Sequence, residues 1–318
     1  MPLAWLYAAV TALRRLAYRR GWLVGRRLPV PVIVVGNLTV GGSGKTPLVI
    51  WLVETLRAAD YRPGVISRGY GGSARAVRPV LPDSAAATVG DEPLLIARRC
   101  ACPVWIGRRR AEAGRALLDR HPEVDVLVSD DGLQHYGLRR DVEIVVVDAA
   151  RGFGNGRLLP LGPLREPLDR LAGVDAVVFN GAASAGLRAQ VAAAGPAPVF
   201  AMQLAGRVFI GLDDPARQRD AAEFQGKPLS AIAGIGHPQR FFDHLASLGL
   251  QAGTRAFPDH HRYRAGDLPP GTVLMTEKDA VKCAAFAPAD AWALRIDACP
   301  DEGLKTRILE RLKARHGQ

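Results

Sequence analysis

Residues 39–46 read Thr-Val-Gly-Gly-Ser-Gly-Lys-Thr, close behind an apolar run from Val32 to Val35. A nucleoside triphosphate presents several anionic oxygens, and a loop whose backbone N–H groups all point inward satisfies them together. Gly41, Gly42 and Gly44 permit that concave path, with Thr39, Val40 and Ser43 completing the loop. Lys45 is placed to bridge the β and γ groups, and the hydroxyl of Thr46 to hold Mg²⁺. Pro47 falls in the first turn of the following helix, where its missing N–H costs little. The pattern departs from the usual one at its start, where Thr39 stands in place of a glycine. A plain tight connection between strand and helix can also be glycine-rich, but it has no need of the Gly-Lys-Thr ending.

Val126, Leu127 and Val128 lead into Ser129, Asp130, Asp131 and Gly132. A strand ending in paired carboxylates opposite a phosphate loop supplies oxygen ligands for Mg²⁺ or its waters; the bland alternative is a solvated turn. Asp91 opens a helix in Val89-Gly90-Asp91-Glu92-Pro93, and two histidines follow a strand in Phe257-Pro258-Asp259-His260-His261. Singly these are a helix cap and solvated histidines. Together they offer an acid and an imidazole able to take the proton of an alcohol. Thr276-Glu277-Lys278-Asp279 follows another apolar strand and has two readings: a purine-recognition turn, or a helix N-cap with acids in its first turn.

These groups need a scaffold, and the hydrophobic pattern provides one. Helices are expected from Pro47 to Ala59, Glu92 to Arg99 and Arg108 to Arg120, with strands at Gly64 to Ser67, Val104 to Gly107, Val124 to Ser129, Glu143 to Val147 and Ala176 to Phe179. Strands that are almost continuously apolar and alternate with helices predict an α/β fold, a P-loop NTPase-like parallel sheet flanked by helices. Its ligand should sit beyond the carboxyl ends of the strands. After Arg207 a second alternating set begins, with strands at Ser230 to Ile235, Gly253 to Phe257, Thr272 to Thr276 and Trp292 to Ile296, and helices at Pro238 to Leu248, Glu277 to Ala285 and Glu302 to Arg315. The expected organisation is an amphipathic helical segment 1–28, a P-loop core 29–205 and a second, smaller α/β lobe 206–318, with a cleft between the lobes.

The 318-residue chain is 48% hydrophobic, enough for real cores, and its net charge of +11 predicts attraction to a polyanion. Aromatic residues are 6% and no basic tract is interleaved with them, which sets nucleic acid aside in favour of an anionic membrane surface or a phosphorylated substrate. Cys100, Cys102, Cys283 and Cys299 form neither a disulfide framework nor paired metal spacing, as expected in a reducing cytoplasm. Pro2 to Leu13 is apolar, and Arg14, Arg15, Arg19, Arg20, Arg26 and Arg27 follow it closely. The run is shorter than the roughly 20 apolar residues of a spanning helix. Its charges follow it, whereas a secretory signal places them first. Leu3, Leu6, Val10, Leu13 and Ala17 recur at helical spacing. Such a stripe suits a helix lying in a membrane interface, with Trp5 and Tyr7 at headgroup depth, or an ordinary helix packed on its own domain.

The motifs together are more specific than any one of them. Val35-Gly36-Asn37-Leu38-Thr39-Val40-Gly41-Gly42-Ser43-Gly44-Lys45-Thr46-Pro47 is followed in order by Ser67-Arg68-Gly69-Tyr70-Gly71, Gly90-Asp91-Glu92-Pro93, Asp130-Asp131-Gly132-Leu133-Gln134-His135, Leu164-Arg165-Glu166-Pro167, Asp259-His260 and Thr276-Glu277-Lys278-Asp279. In these motifs, over nearly its whole length, the chain resembles the tetraacyldisaccharide 4'-kinase family. The resemblance implies ATP- and Mg²⁺-dependent phosphorylation of the 4'-hydroxyl of tetraacyldisaccharide 1-phosphate to lipid IVA. It also implies a peripheral protein on the cytoplasmic face of a Gram-negative inner membrane. It places Asp91 as the catalytic aspartate, His260 as its paired histidine, Lys45 and Thr46 as the loop lysine and metal-binding threonine, and Asp130, Asp131 and Glu166 as acids lining the metal and phosphate site. Arg68, Tyr70, Gln134 and His135 fall in matching motifs, and His261 stands beside the matched histidine.

A lipid head group at a membrane surface accounts for both the arginine-rich N-terminus and the basic balance, since each basic residue near an anionic surface contributes roughly 1 kcal/mol. A monomer is expected. The competing classes are a nucleotide-dependent switch or metallochaperone GTPase, with Thr276 to Asp279 reading guanine, and a P-loop kinase of a soluble metabolite, which has no use for the N-terminal helix.

Overall fold

Val32–Gly36 has no polar side chain on either face, and every residue of it is buried as the strand β1 at the middle of a large sheet. The structure, a computed structural model, describes residues 2–316. Met1, Gly317 and Gln318, which fall in the expected terminal segments, lie outside the described residues. In chain order the first lobe contains α1 (Pro2–Arg19), β1, α2 (Lys45–Arg57), β2 (Pro63–Ser67), β3 (Arg78–Pro79), α3 (Ala86–Val89), α4 (Asp91–Cys100), β4 (Val104–Ile106), α5 (Arg110–Arg120), β5 (Val126–Asp130), β6 (Val142–Asp148), β7 (Ala176–Asn180), α6 (Ala185–Ala194) and β8 (Val199–Ala205). The chain then crosses to β9 (Val208–Gly211), β10 (Gln218–Asp220), β11 (Leu229–Ala233), α7 (Pro238–Ser247), β12 (Ala252–Ala256), β13 (Thr272–Thr276), α8 (Glu277–Cys283) and β14 (Ala291–Leu294). It ends with β15 (Asp297–Pro300) and α9 (Glu302–His316).

The first sheet runs β15-β8-β7-β6-β1-β5-β2-β4-β3 and is parallel except at its two edges. Side chains alternate across a strand, so Ile33 and Val35 face one core with α2, α4 and α9, while Val32 and Val34 face another with α5 and α6. The second sheet, β10-β9-β14-β13-β11-β12, is parallel from β14 to β12 and buries Phe209, Phe224, Leu274 and Trp292 on one face and Ile232, Val273 and Met275 on the other.

This corrects one boundary. The expected lobe 206–318 ends early: β15 pairs antiparallel with β8, and Leu304, Ile308 and Leu312 of α9 are buried in the core of the first lobe. The spacing of those three residues puts them on one helical stripe, and the larger sheet offers the apolar face that the stripe must cover. The chain therefore crosses between lobes twice, at Gly206 and near Arg295. A Cβ on Gly206 would stand 2.1 Å from the Arg295 carbonyl oxygen, so glycine lets the two crossings pass side by side. The helix α6 and the strand β8, which were not among the expected elements, also belong to the first lobe.

Candidate active site

The loop after β1 leaves the sheet where the strands on either side, β5 and β6, are both supplied later in the chain. Such a switch point opens a crevice at the carboxyl ends of the strands. Gly41 and Gly44 take φ of 97° and 87°, the left-handed region that side chains avoid. A Cβ on Gly44 would also meet Asn180 Nδ2 at 2.5 Å; that amide donates to the Ser43 carbonyl at 3.1 Å and holds the loop from β7. At the loop's start Thr39 bridges Leu164, and Val40 N donates to the Pro163 carbonyl at 2.9 Å. This pairing with a neighbouring segment anchors the first turn where the usual pattern has glycine. Residues 40–47, Thr46 included, line a cleft of about 1170 Å³ between the lobes.

Lys45 Nζ lies 3.5 Å from Asp131 Oδ1, and Arg165 Nη1 donates to the same carboxylate at 3.1 Å. Asp131 is half-buried, takes φ of 47° and lines the cleft; burial pushes its carboxyl up, but Lys45 and Arg165 outweigh that and hold it below the ordinary range. Asp130, one residue earlier, is fully buried at the end of β5. Its Oδ2 accepts from Ser67 Oγ at 3.2 Å, while Oδ1 has no hydrogen-bond partner. Burial, with Glu92 and Asp131 adding to it, pushes this carboxyl up to about 7. A buried carboxylate oxygen lacking a donor is what a cation would complete. Among the described residues no group of three or more His, Cys, Asp or Glu side chains could hold a metal by itself. The donor set therefore fits Mg²⁺, which is bound through one or two carboxylates and the substrate's phosphates, and does not fit a metal caged by protein alone.

Glu166 is placed differently from the expectation. It is buried, one oxygen engaged by the Tyr136 hydroxyl and the other by Gln134 Nε2 at 3.1 Å, and Gln134 rather than Glu166 lines the cleft. Each oxygen thus has one side-chain donor, and through it Glu166 orients Gln134 towards the cleft.

His260, from the loop after β12, sets Nδ1 at 2.9 Å from Asp91 Oδ2 and 3.2 Å from Oδ1. Asp91 is only 4% exposed, at the first turn of α4. Burial pushes its carboxyl up, but the hydrogen bond to His260 and the charge of Lys278 outweigh this and hold it below its usual range. The same hydrogen bond raises His260 above its ordinary value. His261 turns into its own lobe, stacked on Phe257 with ring centroids 4.5 Å apart and its Nε2 3.3 Å from Asp267. Tyr70 packs edge-on to His260 at 5.0 Å, and Arg68 and His135 line the cleft. His135 is pushed down to about 4 by burial and by Arg110, so it is neutral at physiological pH.

A family model described as tetraacyldisaccharide-1-P 4'-kinase matches residues 1–313. The chain belongs to the tetraacyldisaccharide 4'-kinase family. It is 54% identical over 320 residues to the tetraacyldisaccharide 4'-kinase of Azoarcus sp. (strain BH72), covering 100% of this chain and 92% of that one. Identity to the enzyme of the same description from Chromobacterium violaceum is 53%, over 100% and 94% of the two chains. The solved structure of LpxK from Aquifex aeolicus, described as an apo form in complex with ATP, superposes with a TM-score of 0.81 at 29% identity over 98% of each chain. Family membership makes the chain an enzyme, a kinase on an α/β P-loop fold.

In this member of the 4'-kinase family several cleft residues gave little signal in the sequence. Arg110, fully buried, sits beside the paired acids, and burial brings its guanidinium down to about 10. Asp148, buried at the end of β6, accepts Arg240 of α7 at 2.7 and 2.8 Å and ties the lobes together. Its position after an apolar strand was a usable signal; the partner was not. Thr276 caps α8, accepting from Asp279 N at 3.1 Å. Asp279 is fully buried and accepts from Gly234 N at 3.0 Å, so it cannot reach a base, and the capping reading holds for this pair.

The helix α1 docks by an unusual face. Tyr7 donates its hydroxyl to the Arg165 carbonyl at 2.9 Å, Arg15 pairs with Asp169 at 2.8 Å, and Tyr18 stacks on Tyr136. Leu3, Trp5, Leu6, Val10 and Leu13 point to solvent, each more than half exposed. Tyr7, from the same helix, lines the cleft. Among the described residues no helix is long and apolar enough to cross a membrane.

Proposed function

We propose that this 4'-kinase transfers the γ-phosphoryl group of ATP to the 4'-hydroxyl of tetraacyldisaccharide 1-phosphate, forming lipid IVA, with Asp91 and His260 as one acid–base unit. The observation that carries the reading is the Asp91–His260 hydrogen bond across the cleft that the phosphate loop also lines. An alcohol is a poor nucleophile at neutral pH, and a carboxylate within hydrogen-bond reach can take its proton as the phosphoryl group moves. His260 orients Asp91 and keeps it ionised, and the burial of the Asp91 carboxyl limits competition from water there. Lys45 and the loop N–H groups bind the triphosphate. Thr46, with Asp131 and the unpartnered oxygen of Asp130, would hold Mg²⁺, which when bound neutralises charge on the β and γ oxygens.

The membrane is the second half of the reading. A row of exposed Leu, Val and Trp on α1, with arginines behind it, matches a helix lying in an interface, and Tyr7 of the same helix lies on the cleft wall. A lipid acceptor held by its acyl chains in the cytoplasmic leaflet, where ATP is made available, would present its sugar to the cleft of a monomer. The test is purified protein with labelled ATP and the disaccharide acceptor in mixed micelles. Label in the 4' position at a rate set by both substrates is expected; ATP or GTP hydrolysis with no acceptor phosphorylation would overturn the reading in favour of a nucleotide switch.

A further inference from the structure

Within Thr276-Glu277-Lys278-Asp279, three side chains have partners that account for their placement, one of them across the lobes. Thr276 and Asp279 cap α8, and Glu277 takes Arg99 at 2.7 Å and the Ile296 N–H at 3.0 Å. Lys278 lines the cleft together with Thr276 and Glu277. A cation in the first turn of a helix opposes the backbone dipole, so local stability gives no reason for it there.

Its ammonium donates to Glu92 Oε1 at 3.1 Å and lies 3.5 Å from Asp259 Oδ1. Glu92 is the chain neighbour of Asp91, and Asp259 that of His260. Besides the Arg99–Glu277 and Asp148–Arg240 ties between the lobes, two links span the cleft side by side at the acid–base pair, Asp91 to His260 directly and Glu92 to Asp259 through Lys278. The same Asp259 oxygen accepts the His260 N–H at 3.0 Å, which joins the clamp to the backbone that carries the imidazole. Lys278 is largely buried, and Glu92, Asp91 and Asp259, which face it from α4 and from the loop after β12, hold it protonated against the effect of burial.

We infer that Lys278 is a positioning residue for phosphoryl transfer, clamping Glu92 to Asp259 so that Asp91 and His260 are held in register across the cleft. The inference rests on the reading of Asp91 and His260 as the acid–base unit. Misplacing a reacting group by about 1 Å costs on the order of 10²-fold in rate, whereas nucleotide binding by the phosphate loop does not pass through the clamp.

The test is steady-state kinetics of the full chain with ATP and micellar acceptor, alongside nucleotide binding to show that each variant is folded. Lys278→Met is expected to lower kcat by roughly 10- to 100-fold with the KM for ATP changed less than about threefold, and Lys278→Arg to recover part of the loss. In a His260→Ala background Lys278→Met should add little, because the clamp acts through the pair. Glu92→Gln and Asp259→Asn weaken the clamp from the other side and should each lower kcat, which keeps the test open if Lys278→Met does not fold. Normal kcat in all of these variants, additive losses with His260→Ala, or a rise in the KM for ATP as large as the fall in kcat would overturn the clamp. If Asp91→Ala and His260→Ala themselves turn over normally, the acid–base reading fails and the clamp with it; if they are inactive while Lys278→Met is normal, only the clamp fails.

Discussion

His260 Nδ1 lies 2.9 Å from Asp91 Oδ2, a contact between residues 169 apart in the chain and on different lobes. The contact makes the acid–base unit conditional on how the lobes meet. His261, one position on, has no part in it, because its ring is packed among Phe257, Tyr263 and Asp267. Asp91→Ala and His260→Ala should each lower kcat by about 10²-fold or more with little change in ATP affinity, and the double variant should be only slightly worse than the poorer single one. His261→Ala should retain most turnover. Fully additive losses, read from steady-state kinetics, would assign the two groups independent roles.

The same pair predicts a pH window of stability. His260 is raised above its ordinary 6.5, so its contribution is complete below 6.5 and lost as pH rises through the folded value. Asp91 is lowered below its ordinary 3.8, so its contribution is complete above 3.8 and lost as pH falls through the folded value. The Tm difference between parent and His260→Ala should therefore be largest between pH 3.8 and 6.5 and shrink on either side. A difference that grows steadily from pH 6.5 to 9 in calorimetry would contradict this sign.

Lys45→Ala should abolish most activity while the fold survives, since the lysine faces Asp131 and the cleft rather than a core. Turnover within about threefold of the parent at saturating ATP and Mg²⁺ would remove the phosphate-loop assignment.

Leu6, Val10 and Leu13 are 61%, 56% and 61% exposed, so replacing all three by Ser should leave stability within about 0.5 kcal/mol per site. Flotation with anionic vesicles should nonetheless lose the protein, and the apparent KM for micellar acceptor should rise more than that for ATP. Undiminished vesicle binding would show that α1 is not the membrane contact.

Ile308 is 1% exposed in the core of the first lobe, although it lies near the end of the chain. Ile308→Ala should destabilise the phosphate-binding lobe by about 2–5 kcal/mol in urea unfolding. Loss confined to the second lobe, followed by hydrogen exchange, would place α9 elsewhere.

Much was legible in the sequence because it was local. The phosphate loop is written as Gly-Ser-Gly-Lys-Thr after an apolar strand, and left-handed φ at Gly41 and Gly44 follows from residue type alone. Parallel strands announced themselves as continuous apolar runs, since both faces of the sheet are covered. Even the exposed stripe on α1 could be read from its spacing; what could not was its direction, because a helical period gives a face and not the surface that face meets. Only the tertiary structure decided that Tyr7 and Arg15 hold the helix and leave Leu6 and Val10 free. It also decided that Glu166 serves Gln134, that α9 returns to the first lobe, and that Lys278 spans Glu92 and Asp259. Each of these is a contact between distant segments, fixed by how two lobes and their covering helices pack, and side-chain type at one position carries no record of the partner that packing will bring.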